Sequence, residues 1–181
     1  MPRSIFYEHM ITNITFKKYT AKDLLDYHNL VKEDDVMKYI TGKGMSVPDA
    51  NKKFDSILDQ GKQHKYLGYF QVLDAENGTI IGDCKLVFYK KDHSVFEIGY
   101  LLKKEHWKKG LGTKICEHLL SLALEIDQEK DIIAVIHPQN IASRRLLEKS
   151  GFRSYFKGNE EGTIIEKLIL TRKQKNVSSD L

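Results

Sequence analysis

The stretch richest in chemically useful residues runs from Glu97 to Gly112, EIGYLLKKEHWKKGLG. A strand pattern leads into a basic loop, two glycines follow at G-x-G spacing (Gly110 and Gly112), and a long helix opens behind them. This combination suits an anion. Glycine lets the backbone approach a phosphate closely, the free N–H groups of a first helical turn point outward, and the helix dipole favours negative charge. Lys108 and Lys109 add mobile positive charge at the rim. Taken alone, G-x-G before a helix reads equally as a tight turn. The loop is not a Walker A motif, which needs GxxxxGK[ST], and Lys114 and Ile115 stand where GxGxxG would continue to its third glycine.

The elements around this loop follow from periodicity. Asn13 to Tyr19 reads as a first strand, and Thr20 with Asp23 makes a near capping box for a helix carrying Leu24, Leu25, Tyr27, His28 and Val31. A second helical region spans about Asp34 to Ile40. Ser46 and Pro48 open a third, with Ala50, Phe54, Ile57 and Leu58 as its apolar stripe. Tyr66–Leu73 and Thr79–Tyr89 flank Asn77-Gly78 as a hairpin, and Val95–Leu102 follows the turn Lys90–His93. After Gly112, Ile115, Cys116, Leu119, Leu122, Ala123 and Ile126 recur at helical spacing. Ile132–Ile136 is a continuous apolar run, as in a strand buried on both faces. A helix from about Asn140 to Lys149 ends at Gly151, and Phe152–Lys157 and Thr163–Thr171 close the chain around the turn Gly158–Gly162. The order β-α-α-β-β-β-α-β-α-β-β gives an α/β (α+β) class with a mixed sheet.

Two signatures then coincide. HWKKGLGTK resembles the pyrophosphate loop [RQ]xxGx[GA] of the GNAT superfamily of acyl-CoA-dependent N-acyltransferases, and Asn140 to Phe152 resembles its second signature, NxxSxxxxEKxGF. Trp107 in place of Arg or Gln, and Glu97 to Leu102 written EIGYLL, are similar to the ribosomal-protein alanine acetyltransferase (RimJ/RimL) branch. The resemblance covers roughly residues 12 to 171. It implies a mostly antiparallel sheet with splayed central strands, the fourth and fifth, and about four packed helices. Acetyl-CoA is the cosubstrate it implies, with its pantetheine arm in the gap between Glu97–Leu102 and Ile132–Ile136. Coenzyme contacts are then expected from Leu101 and Leu102, from Trp107, Lys108, Lys109, Gly110, Leu111, Gly112 and Thr113, and from Asn140 and Ser143.

The reaction so implied is acetyl transfer to a primary amine by direct attack in a ternary complex. It needs a neutral nucleophile, a polarised thioester carbonyl and a stabilised leaving thiolate. Glu97 is the candidate base, since strand alternation sets it on one face with Gly99 and Leu101; it also reads as a solvated carboxylate paired with a lysine. A backbone N–H near Leu101 or Leu102 is expected to meet the oxyanion. Where many family members carry a tyrosine before the EK of the second signature, this chain has Leu147. Ser143 is the candidate beside the sulfur, or simply a first-turn helix residue. Asn140 caps that helix, binds pantetheine, or does both. Trp107 lines the coenzyme or packs the loop, and Tyr100 and His137 read as core or wall. The acceptor is expected between Leu24–Gly61 and the Gly158–Gly162 turn, where Glu160 and Glu161 offer attraction for a cation. It is a protein N-terminal α-amine or a small-molecule amine. The departure at Leu147 motivates the alternative of a noncatalytic acyl-CoA-binding or sensing module.

Composition sets the remaining bounds. The chain has 181 residues, 41% hydrophobic and 30% charged, which suits one globular domain, taken as residues 12–172 between an N-terminal extension, 1–11, and a polar tail, 173–181. The longest charge-free stretch, Ile132 to Ser143, is 12 residues and holds a proline, against about 20 for a membrane span. The first ten residues lack the apolar core of a secretory signal, so a cytoplasmic location is expected. A net charge of +4 with scattered lysines does not indicate a nucleic-acid partner. Cys84 and Cys116 lack CxxC spacing and read as reduced core residues. No HExxH or HxxxH pairing among seven histidines indicates a metal. A monomer and a homodimer both fit.

Overall fold

The computed structural model describes residues 13–172; the expected N-terminal extension and polar tail lie outside them. Seven strands form one sheet in the order β1-β2-β3-β4-β5-β7-β6. They are β1 Ile14–Lys18, β2 Gly68–Asp74, β3 Ile80–Tyr89, β4 Asp92–Leu102, β5 Ile132–Ile136, β6 Arg153–Glu160 and β7 Thr163–Leu170. Every neighbouring pair is antiparallel except β4 with β5, which is parallel.

Helices α1 (Leu24–Val31), α2 (Asp34–Met37) and α3 (Val47–Gly61) precede β2, while α4 (Leu111–Ile126) and α5 (Ile141–Lys149) flank β5. Of the five described helices, α2 is a single turn, shorter than the helical region expected there. It stops at Met37 rather than Ile40 because the N–H groups of Ile40, Thr41 and Gly42 all converge on the Met37 carbonyl. The helix starts are local in origin. Ser46 Oγ accepts the Asp49 N–H ahead of Pro48, and Thr20 with Asp23 forms the capping box in a 3₁₀ turn leading into α1.

Strand parity sorts the two cores. On β3 and β4, Cys84, Leu86, Phe96, Ile98 and Leu102 point to one face and pack against Ile115, Leu119 and Ala123 of α4 and Leu147 of α5. The opposite face, with Val87 and Leu101, is covered by Tyr27, Leu30 and Val31 of α1 and by Phe54 and Ile57 of α3. Side chains buried as completely as Phe96 and Ile132 contribute about 1.5–3 kcal/mol each. Both cysteines are buried and free.

Two turns are tighter than expected. β4 begins at Asp92, leaving only Lys90 and Lys91 between β3 and β4, and β6 runs on to Glu160, leaving Glu161 and Gly162 as the last hairpin turn. Glu160 stays in the strand because it pairs with Thr163 in the hairpin ladder, and its carboxylate meets Lys167 and, at 2.8 Å, Lys91. Among the described residues no helix is long and apolar enough to cross a membrane.

Candidate functional site

The sheet opens at its centre. β4 and β5 pair through Phe96–Ile132, Glu97–Ile133 and Ile98–Ala134, and there the ladder stops, although β4 continues to Leu102 and β5 to Ile136. Which backbone groups this leaves unpaired follows from alternation. Phe96 N–H donates to Asp131 on the β5 side, and Lys103 N–H donates to Ile81 on the β3 side. Even-numbered residues of β4 therefore aim their amides at β5, and odd-numbered ones at β3. Tyr100 and Leu102 thus present N–H groups to the gap, where they need another partner. Leu101, expected alongside Leu102, spends its amide on β3 and enters the site as a side-chain wall.

At the mouth of the gap the loop has an anion-holding shape. Lys108 (φ 60°) and Gly110 (φ 75°) are both left-handed, an arrangement that turns successive N–H groups into one concavity. Gly110 is the N-cap of α4 and has no side chain to cap it, so the amides of Leu111, Gly112 and Thr113 face outward. Lys108 is exposed, Lys109 half-buried, and Leu111 is sunk in the core as the loop's anchor. Trp107 packs against the core, its indole N–H donating to the Leu102 carbonyl at 2.8 Å. That bond ties the loop to the end of β4.

A cavity of about 400 Å³ passes through the gap and is lined from both faces of the sheet. On the α4–α5 face, the Tyr100 hydroxyl lies 3.5 Å from Ser143 Oγ, and Ser143 is buried. Asn140 Oδ1 accepts the Ser143 N–H at 3.2 Å, which makes Asn140 the N-cap of α5. Burial pushes the Tyr100 phenol above its usual range, and the Ser143 hydrogen bond pulls the other way. Sequence reasoning leaves Tyr100 as wall. The signal that finds it is parity, since it shares a face with Ile98 and Leu102 and so meets α5. Leu147 is buried beside them.

On the α1–α3 face three cross-strand rows meet. Gln71, Asp83 and Leu101 form one, Tyr69, Lys85 and Gly99 the next, and Val87, Glu97 and Ile133 the third. Glu97, the expected base, is paired with Lys85 at 2.5 Å, with its side chain 14% exposed. Lys85 lies across Gly99, where a Cβ would stand 3.1 Å from Lys85 Cε, a tight contact. Lys53 of α3 donates to the Tyr69 hydroxyl at 2.9 Å.

Asp83, a polar residue inside the apolar run IIGDCKLVF, is the group that sequence reasoning passes over. Its odd position on a strand next to β4 is the signal that places it on the same face as Glu97. The segment Leu24–Gly61 expected to hold an acceptor reaches the cavity through Tyr27, Met37, Met45 and Lys53, while the Gly158–Gly162 turn, also expected there, does not line it and β7 enters instead through Thr163–Ile165. Glu160 and Glu161 do not offer free charge to a cation, because Lys90, Lys91 and Lys167 pair with them. His137 lines the cavity with its ring 5.9 Å from Tyr39. Among the described residues no cluster of three metal-ligating side chains forms.

A mixed α/β domain with a sheet split at a parallel strand pair and a glycine loop at the mouth has an acetyltransferase architecture. The sequence matches the acetyltransferase (GNAT) domain over residues 13–153, and the chain belongs to that family. It is 27% identical over 162 residues to the uncharacterized N-acetyltransferase YnaD of Bacillus subtilis, covering 84% of this chain and 91% of that one. Its fold is similar to that of a GNAT-family acetyltransferase from Bacillus anthracis, with a TM-score of 0.70, 20% identity, and 89% and 96% of the two chains covered. It is also similar to spermidine N-acetyltransferase from Vibrio cholerae, solved with CoA and spermine, with a TM-score of 0.68, 18% identity, and 88% and 95% covered.

Proposed function

We propose that this protein transfers the acetyl group of acetyl-CoA to a primary amine by direct attack in a ternary complex. One observation carries the reading: the cavity runs through the sheet at the point where β4 and β5 part, so groups on opposite faces can meet there. The gap fits an amide-rich pantetheine arm, which would satisfy the Tyr100 and Leu102 amides as a strand would. The pyrophosphate falls to the Lys108–Thr113 loop, whose nest and helix N-terminus favour an anion. Thioester chemistry is what the coenzyme supplies when bound.

The residues divide by face. On the α4–α5 face Ser143 and Tyr100 form a hydroxyl pair able to stabilise and protonate a leaving thiolate, which makes good the absence of a tyrosine at Leu147. On the α1–α3 face two carboxylates, Glu97 and Asp83, front the acceptor amine. The acceptor is a small-molecule amine or a protein N-terminal α-amine. The Vibrio cholerae relative, solved with spermine, favours trying small amines first.

Release of free CoA thiol from acetyl-CoA, measured across small primary amines and peptides with a free N-terminus, tests the reading. Amine-dependent release that falls in Ser143→Ala and Tyr100→Phe supports it. Acetyl-CoA binding without turnover on any amine would leave a binding module in its place.

A further inference from the structure

We propose that Asp83, rather than Glu97, is the carboxylate that receives the acceptor's ammonium group and takes up its proton. This deepens the acetyl-transfer reading and rests on it. Three observations carry it.

The first is position. Glu97 sits opposite Ile133, where β4 and β5 are still paired, whereas Asp83 sits one strand away on β3, opposite Leu101, level with the stretch of β4 that no longer pairs with β5, and it lines the cavity there. The second is availability. Glu97 is held by Lys85, while Asp83 Oδ2 is buried without a hydrogen-bond partner in a residue only 5% exposed that lines the cavity. A buried carboxylate left unpaired is costly, so one kept at a cavity wall points to a cationic or proton-donating ligand. The third is the surroundings. Tyr19 after β1, Tyr27 of α1, Lys53 of α3, Tyr69 of β2 and Lys85 of β3 are the titratable groups that face Asp83, with Glu97 of β4 behind Lys85 and Cys84 next in sequence but on the opposite face of the sheet. Both lysines already have partners in Tyr69 and Glu97, and the Tyr19 hydroxyl lies close without meeting hydrogen-bond geometry. Burial raises the Asp83 carboxyl to about 7 against the pull of Tyr19, Lys53 and Lys85, which suits proton exchange with an amine near neutrality.

The step balances as follows. The ammonium gives one proton to Asp83, and the freed nitrogen pair forms the C–N bond as the carbonyl π pair moves onto oxygen. On collapse the C–S bond breaks and its pair leaves on sulfur. The nitrogen loses its second proton, the thiolate gains one through Tyr100 and Ser143, and Asp83 returns its own to solvent. One proton is released overall.

The test follows the full chain, labelled with carbon-13 aspartate and saturated with CoA, with n-butylammonium as probe. One carboxyl carbon should titrate near neutrality and be missing from Asp83→Asn. Butylammonium should lower its midpoint by about one unit or more, as a neighbouring opposite charge does. The parent titration alone keeps the test alive should the variant not fold. In acetyl transfer to n-butylamine, Asp83→Asn should lose about 10²-fold or more in kcat and the acid limb of the pH profile, with little change in acetyl-CoA affinity. Absence of such a carboxyl, a midpoint unmoved by butylammonium, or loss of the acid limb in Glu97→Gln instead would overturn the inference and leave acetyl transfer standing. Failure of the parent to bind acetyl-CoA would overturn the acetyl-transfer reading itself.

Discussion

Substituting Asp83 by Asn should make the protein more stable above neutral pH. A carboxyl raised to about 7 in the folded chain, against 3.8 when freely solvated in the unfolded one, holds its proton in the folded state long after the unfolded chain has lost it. Folding therefore takes up a proton between those two values, and stability falls as the pH rises through that window. Roughly three units at 1.36 kcal/mol each give about 4 kcal/mol as an upper bound, since side-chain movement and water entry ease the desolvation. Asn keeps the shape and carries no charge, so the parent-minus-variant difference should be near zero at low pH and grow toward that bound above neutrality. For a chain of this length 1 kcal/mol moves Tm by about 2–4 °C, so even half the bound is measurable. Urea unfolding of both proteins across the pH range reads the difference directly and cancels every other titration. An Asn variant less stable than the parent at alkaline pH would refute the reasoning, because it would mean that the native protein already pairs the carboxylate.

Other expectations follow from the same geometry. Gly112→Ala places a Cβ 2.8 Å from both the Tyr100 hydroxyl and Leu146 Cδ1. Overpacking of about 1–3 kcal/mol should outweigh up to about 1 kcal/mol of helix propensity, and adding Tyr100→Phe should recover part of the loss; strict additivity in thermal unfolding would contradict this. Arg144 reaches both Glu166 and the Pro138 carbonyl, fixing the start of α5 to β7. Glu166→Gln should therefore cost about 2–4 kcal/mol, somewhat under the usual loss for a fully buried pair, read by urea midpoint. Asp23 has the opposite pH sign to Asp83. Burial pushes its carboxyl up, but hydrogen bonds from Lys17 and from the Thr20 side chain and backbone outweigh this and hold it at about 2. Its contribution is present above the unfolded carboxylate range and lost as the pH falls through about 2, so Asp23→Asn should cost stability at neutral pH and little in strong acid.

Much of the fold is legible in the sequence because its signals are local. The period-two run of β4, the helical spacing after Gly112, the Asn77-Gly78 turn and the Ser46-Pro48 cap each specify an element from a few residues. The splay of β4 from β5 is legible only through the two family signatures, since nothing local in Tyr100–Leu102 or Val135–Ile136 forbids their pairing. The candidate site is legible by half. The loop opens α4 and Ser143 lines the cavity, but Glu97 meets Lys85 in a cross-strand contact that only the register reveals. Asp83 and Tyr100 were hidden for the same reason. Each lies inside an apolar strand, where a polar residue looks like a packed one until the neighbouring strand is known. Glu160 reads as a turn residue because Gly158 and Asn159 suggest a turn, whereas cross-strand pairing of Glu160 with Thr163 extends β6 past them.

The central claim is that the Lys108–Thr113 loop and the gap beside it bind acetyl-CoA. Calorimetric titration of acetyl-CoA into the parent and into Gly110→Glu tests it most directly. Position 110 is open, with nothing within 4 Å of a Cβ, so the substitution adds left-handed strain of about 1–2 kcal/mol and a negative charge at the cradle without disturbing the core. The account predicts one acetyl-CoA per parent chain and affinity at least about tenfold weaker in the variant, a difference of about 1.4 kcal/mol. No heat of binding in the folded parent, or equal affinity in both proteins, would contradict it.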